Sequence, residues 1–326
     1  MMITVLAGGV GAAKLLAGLV RVVPPADITA IVNIGDDTVM HGLSISPDLD
    51  TVTYTVAGAI DQARGWGLAG ESWHAMEALG RFGHVRPAGS RAGGTWFGLG
   101  DRDLATHLYR THRLAEGATL TEVTAEIAAA FGLGIRLLPA CDHPVPTLVT
   151  IVDHDGAERE VSFQEYFVGH HHDVPVRSVR FLGADSIAPT SQVLAAVRNA
   201  DVVVIAPSNP LVSIGPLLAL PALAEALRGR RAHTIAVSPI VAGAALKGPA
   251  DRMMTELGHD ASVTGVARLY QPFAAALAVD EADRHLAPAV QAAGMRCVVT
   301  DTIMSDPDRA AALCRALITT VTGGPS

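Results

Sequence analysis

Residues 3–34 read ITVLAGGVGAAKLLAGLVRVVPPADITAIVNI, and this stretch decides the fold class. Ile3–Ala7 is a short apolar run that stops at Gly8. Residues 14–22 place Leu15, Leu16, Leu19 and Val22 on one helical face. Residues 28–34 form a second apolar run. A strand, a glycine turn, a helix and a strand make a βαβ unit, and such units build parallel sheets. The pattern returns downstream. Residues 200–205 contain VVVI, apolar on both faces as a buried parallel strand is. A helix is expected over LLALPALAEALR, then strands at Thr234–Val237 and 296–300, and a closing helix over 308–319. The expected class is α/β, a Rossmann-like and mostly parallel sheet. Residues 1–60 and 140–326 would form the nucleotide-binding core. Residues 61–139, rich in Gly, His, Arg and Trp, would form a mostly helical insertion that contributes to the acceptor site. In that insertion Thr119 and Glu122 have capping-box spacing. Residues 147–153 and 159–168 are expected as short strands, and 87–94 as a loop.

Composition narrows the function. The chain has 326 residues, 49% hydrophobic but only 4% aromatic, so its core must rest on Ala, Val, Leu and Ile. Its mean hydropathy of +0.33 reflects alanine. The longest apolar stretch, 202–227, is broken by Pro207, Pro210, Pro216 and Pro221, which a lipid-exposed helix would not tolerate. A net charge of −8 without a long basic run argues against nucleic acid as the main partner. Cys141, Cys297 and Cys314 lie far apart, so neither a disulfide framework nor a zinc site is expected. With no basic start or cleavage site at the N-terminus, a cytoplasmic protein with no membrane segment is the simplest expectation.

Three polar turns follow apolar strands. The first holds Gly8, Gly9 and Gly11, with Lys14 where a dinucleotide fingerprint has its third glycine. Glycines let backbone approach a phosphate, and the following helix offers unpaired amides and a positive dipole end. The competing reading is a tight turn with a solvated lysine. The second turn, APSNPLVSIGP, offers Ser208, Asn209, Pro210 and Ser213; the third carries Ser238, Gly243 and Lys247. Ordinary loop chemistry explains each turn but not their shared placement.

Acids gather at the same edge. VNIGDD puts Asn33, Asp36 and Asp37 after the second strand, and PDLDT brings Asp48, Asp50 and Thr51. Asp50 reads either as a helix N-cap or as a ligand to magnesium or a substrate hydroxyl. Acids brought together by two loops repel one another unless a cation intervenes, which points to a divalent ion on Asp36, Asp48 and Asp50. LGDRDLATHLYRTH places Asp101, Arg102, Asp103, His107 and Arg110 on or before a helix, where salt bridges are the bland reading and an anion fork at Arg102 the functional one. His170, His171 and His172 are consecutive, so their side chains diverge and an exposed loop is expected.

Together, GGVGAAKLLAGL, VNIGDD, ISPDLDTVTYT, RGWG, GLGDRDLATH, LLPACDHPVPT, FQEYFV, APSNPLVSIGP, SPIVAGAALKGPA and VARLYQPFA resemble, in order along nearly the whole chain, the CofD family of 2-phospho-L-lactate transferases and its actinobacterial relatives. The stretch GHHHD after FQEYFV and the loop at 87–94 depart from the family pattern. The resemblance implies an enzyme that takes a guanosine-diphosphate-linked three-carbon acid and passes its phospho-acid part, phospholactate or phosphoenolpyruvate, to the ribityl hydroxyl of the deazaflavin Fo. GMP is released, Mg2+ assists, and the product enters coenzyme F-420 assembly. It implies Asp50 and Arg102 as catalytic. Gly8, Gly9, Gly11, Lys14, Asn33, Ser208, Asn209, Pro210 and Ser213 would hold the nucleotide. Asp50, Thr51, Asp101, Arg102 and His107 would hold the acceptor. A homodimer is implied as well. The residues do not choose among the three-carbon acids, although bacterial resemblance favours phosphoenolpyruvate. The alternatives are a YvcK-like nucleotide-sugar-binding regulator without turnover and a nicotinamide oxidoreductase.

Overall fold

Ile3–Ala7 and Val202–Ile205 are buried at every residue, as strands covered on both faces must be. They lie side by side at the centre of a seven-stranded parallel sheet in a computed structural model that describes residues 1–90, 92–153 and 155–323. Across this sheet the strands run Arg296–Val299, Ala276–Val279, Thr234–Val237, Val202–Ile205, Ile3–Ala7, Ile28–Val32, Arg136–Pro139. Val5 pairs with Ala30 on one side and Val204 on the other. In chain order the sheet reads 3-2-1-4-5-6-7, the doubly wound arrangement. The order reverses between Ile3–Ala7 and Val202–Ile205, so the turns after these two strands diverge and open a crevice.

The α/β expectation stands, with several local corrections. The first helix spans Gly9–Leu19, five residues earlier than its apolar stripe announces. Its first turn is glycine and has no stripe to read. LLALPALAEALR forms two helices, Gly215–Leu218 and Pro221–Gly229, because Pro221 cannot continue the first and suits the opening turn of the second. The segment 159–168 divides into a strand, Glu158–Ser162, and a π-helical turn, Glu165–Gly169. Arg136–Pro139, expected among helices, is the edge strand of the large sheet. Four residues are too few to show a period, and its partner Ile28–Val32 decides its state.

Between Ile28–Val32 and Arg136–Pro139 along the chain lie, among others, the helices His74–Gly80, Asp103–Ala115 and Leu120–Ala130. The capping box forms: the Thr119 hydroxyl accepts from the Glu122 amide at 3.2 Å, and Glu122 accepts from the Thr119 amide at 2.8 Å. A separate antiparallel sheet is centred on Thr147–Val152, whose alternating burial marks one covered face. That face packs in one cluster with Val212, Met253 and Phe163. Among the described residues, no helix is long and apolar enough to cross a membrane. Cys141, Cys297 and Cys314 are free thiols.

Candidate functional site

A cavity of about 770 Å³ opens at the carboxyl ends of the central strands. Gly11, Asp50 and Asn209, from three separate turns, line this one space. Gly8, Gly9, Lys14, Asp36, Asp48, Thr51, His107, Ser208 and Ser213 line it too.

The two turns at the switch point interlock. The Ser208 hydroxyl donates to the Gly8 carbonyl at 2.6 Å and accepts from its amide at 3.3 Å. A β-carbon at Gly8 would stand 2.7 Å from Ser213 Cβ, and one at Gly11 2.6 Å from the Pro207 carbonyl oxygen. Gly9 has φ +65°, the left-handed region that favours glycine. These glycines therefore seat one turn on the other and leave the helix N-terminus facing the cavity. Gly11→Ala is expected to force the two turns apart, lowering stability by roughly 1–3 kcal/mol. Thermal unfolding checks it; a variant with wild-type Tm would contradict it.

The acids form two groups with different charge balance. Asp36 and Asp48 are 7% and 6% exposed and receive no arginine or lysine among the described residues. Asn33 donates to Asp48 Oδ2 at 2.9 Å, while Asp36 Oδ1 is buried without a partner. Burial, then repulsion by Asp48, hold the Asp36 carboxyl well above the usual carboxylate range against the help of Asn33. Burial pushes Asp48 up to about 6 although Asn33 and the Gly9 amide oppose it. Asp37, hydrogen-bonded to Ser46 at 2.8 Å, is raised by burial as well.

Asp50 belongs to the second group. The Arg110 guanidinium grips both of its oxygens, Nη1 to Oδ2 at 3.1 Å and Nη2 to Oδ1. Arg110 is 2% exposed, and its Nη1 lies 3.3 Å from His107 Nδ1. Tyr54 donates to Asp103 Oδ1 at 2.5 Å, and His107 Nε2 stands 3.4 Å from Asp103 Oδ2. Burial alone would raise Asp103, but the hydrogen bond and charge of His107, with Tyr54 and Arg110 behind them, leave it lowered. Ligand atoms of Asp50, Asp103 and His107 all lie within 4.8 Å of one another, close enough to hold a metal ion.

Other residues named from sequence sit elsewhere. Asn33 lies beneath the cavity and acts through Asp48. Asn209 lines the space, but its Oδ1 accepts from the Leu211 amide at 2.9 Å and closes its own turn; Pro210 does not line it. Lys14 Nζ reaches the Met304 carbonyl at 3.4 Å and ties down the 302–305 wall. Asp101 caps the helix His74–Gly80, accepting from the His74 and Ala75 amides and the Ser72 hydroxyl. Arg102 donates to the Ala69 carbonyl at 2.6 Å and lines a different, smaller cavity. Asp50 is not the N-cap of its helix, Pro47–Val56, which begins after Ser46.

Arg110 was placed on the helix Asp103–Ala115 from sequence but given no role, although a signal existed. Asp103, His107 and Arg110 stand at i, i+4 and i+7, one face of a helix, with Arg102 on another. Trp66, Phe97, Phe163 and Phe167 give the cavity an apolar lining. Arg64 lies over both Trp66 and Trp73, at 5.5 and 5.4 Å from the ring centres. Phe167 stacks on Phe163 and on His172, so the histidine run contributes a ring to this wall's outer support.

The family model described as "2-phospho-L-lactate transferase CofD" matches residues 3–316. A phosphoenolpyruvate transferase of Kitasatospora aureofaciens is 42% identical over 98% of this chain and 97% of its own. One from Mycolicibacterium smegmatis is 41% identical, covering 97% of each chain. Among solved structures, a UPF0052-family protein from Bacillus halodurans shares the fold with a TM-score of 0.59 at 17% identity, over 97% of this chain and 98% of that one.

Proposed function

The chain belongs to the CofD family of 2-phospho-L-lactate transferases, and from that premise we propose that it moves a phosphoenolpyruvate group from a guanosine-diphosphate-linked donor to the ribityl hydroxyl of the deazaflavin Fo, releasing GMP, in coenzyme F-420 biosynthesis. The observation that carries this reading is the meeting of the glycine turn, the Ser208 turn and both acid groups around one cavity. The preference for phosphoenolpyruvate over 2-phospho-L-lactate rests on relatives of that name.

The diphosphate lies against the Gly8–Gly9–Gly11 turn, where amides at the helix start receive its oxygens. Ser208 and Ser213 line the same side. The flat deazaflavin ring lies along the Trp66, Phe97, Phe163 and Phe167 wall, to which the insertion 61–139 contributes Trp66 and Phe97. The ribityl hydroxyl oxygen forms a bond to the phosphorus bearing the acid as its proton passes to the Asp50 carboxylate. The bond from that phosphorus to the GMP oxygen breaks, and its electron pair leaves with GMP. Such a transfer needs alignment and charge neutralisation more than a covalent intermediate. The orphaned Asp36 oxygen and the uncompensated Asp36–Asp48 pair suit a hard divalent cation. Mg2+ there would neutralise diphosphate charge. Working in the cytoplasm keeps the three thiols reduced. A homodimer belongs to the same proposal, and sedimentation at two concentrations tests it.

The test is incubation with Mg2+, Fo and the guanylylated forms of phosphoenolpyruvate, phospholactate and phosphoglycerate, side by side. GMP and a phosphodiester product are expected with all three reagents present, fastest with the phosphoenolpyruvyl donor. Tight nucleotide binding with no GMP from any donor would support the regulator reading instead.

A further inference from the structure

We infer that Arg110 is a positioning residue that withdraws Asp50 from the metal set: Asp36 and Asp48 take the cation, and Asp50 takes the acceptor hydroxyl. This rests on the transferase reading above and divides the labour within that site.

The first argument is occupancy. A carboxylate has about four lone-pair sites, and a two-pronged guanidinium uses one on each oxygen. Arg110 makes that contact with Asp50 from behind, since it does not line the cavity while Asp50 does. Asp50 therefore presents an oriented oxygen edge whose charge is already balanced. A dication joining Asp50, Asp103 and His107 would also stand close to the buried Arg110 charge, with His107 Nδ1 only 3.3 Å from Arg110 Nη1. In a buried place two like charges at such range repel strongly.

The second argument is the complementary need at Asp36 and Asp48. Asp36 Oδ1 is buried, has no partner among the described residues, and belongs to a residue lining the cavity. Asp48 sits against the glycine turn: a β-carbon at Gly8 would be 3.1 Å from its Oδ2, and one at Gly9 3.7 Å from its Oδ1. A diphosphate bound on that turn meets the Asp48 carboxylate directly. Two anions share such a place only with a cation between them, whereas Asp50 faces no such conflict. A hydroxyl is neutral and donates readily to an oriented carboxylate.

Equilibrium Mn2+ binding in the presence of GDP, read by the electron spin resonance signal of free Mn2+, tests the division without turnover. Asp48→Asn should weaken Mn2+ at least tenfold, and Asp50→Asn less than threefold. Arg110→Lys should likewise bind Mn2+ within threefold of wild type, with donor KM little changed and kcat reduced about tenfold or more, because one ammonium cannot hold both oxygens. A loss of Mn2+ affinity of threefold or more in Asp50→Asn overturns the proposal, as does wild-type kcat in Arg110→Lys. Should Arg110→Lys fail to fold, the two aspartate variants decide. If wild type makes no product while Mn2+ binding follows this pattern, the transferase reading fails and the metal assignment survives.

Discussion

Asp50→Asn is expected to stay folded and to lose about three orders of magnitude in kcat, measured as GMP release at saturating donor and Fo. The amide keeps the size of the carboxylate and one acceptor oxygen for Arg110, so the buried contact between Pro47–Val56 and Asp103–Ala115 persists. What it loses is the negative charge facing the acceptor hydroxyl. Removing a group that aligns or accepts from the nucleophile lowers rates about 10²–10⁴-fold. Asp50→Ala behaves differently. It strands the Arg110 guanidinium, only 2% exposed, beside His107. Breaking a buried ion pair by deleting one partner is destabilising by about 3–5 kcal/mol. The alanine variant should therefore show a clear drop in Tm together with lost activity. Near-normal turnover in Asp50→Asn would remove Asp50 from the chemistry.

Asp48→Asn should lower kcat/KM for the donor by about 10²-fold or more and flatten the pH dependence of stability. The sign follows from burial. Asp48 titrates near 6 in the folded chain against 3.8 as a free side chain. Its proton is therefore held more tightly in the folded state, and its contribution to stability is complete below pH 3.8. That contribution fades as pH rises through about 6, where the buried group must ionise. Ligand-free protein is expected to lose on the order of 1–3 kcal/mol of stability between pH 4 and pH 7 from this source. Mg2+ binds the ionised form, so saturating Mg2+ should erase most of the slope. Thermal unfolding across that pH range, with and without Mg2+, reads both effects. A wild-type slope in Asp48→Asn would show that another group is responsible.

The sheet was legible because parallel strands buried on both faces are plain apolar runs. Ile3–Ala7, Val202–Ile205 and Thr234–Val237 needed no tertiary context. Arg136–Pro139 did, since four residues state no period and only Ile28–Val32 makes them a strand. The glycine turn was read as a phosphate cradle, and its spacing answers packing: Pro207 and Ser213 occupy the space that side chains at Gly11 and Gly8 would take. Within GDRDLATHLYR the basic residue nearest the acids in sequence, Arg102, drew the functional reading. Helical geometry points it to the Ala69 carbonyl and sends Arg110, two turns on, to Asp50. The acids were read as one cluster. Their division into a compensated pair and an uncompensated one depends on where a distant helix delivers its guanidinium, which adjacency in the chain does not disclose.

Co-crystals grown with GDP and Mn2+ test the arrangement most directly, because the anomalous signal of manganese locates the ion independently of the nucleotide. The ion should lie on Asp36 and Asp48, beside a diphosphate that rests against the turn of Gly8, Gly9 and Gly11, with Asp50 still held by Arg110. An ion between Asp50, Asp103 and His107, or a diphosphate away from the glycine turn, would contradict it.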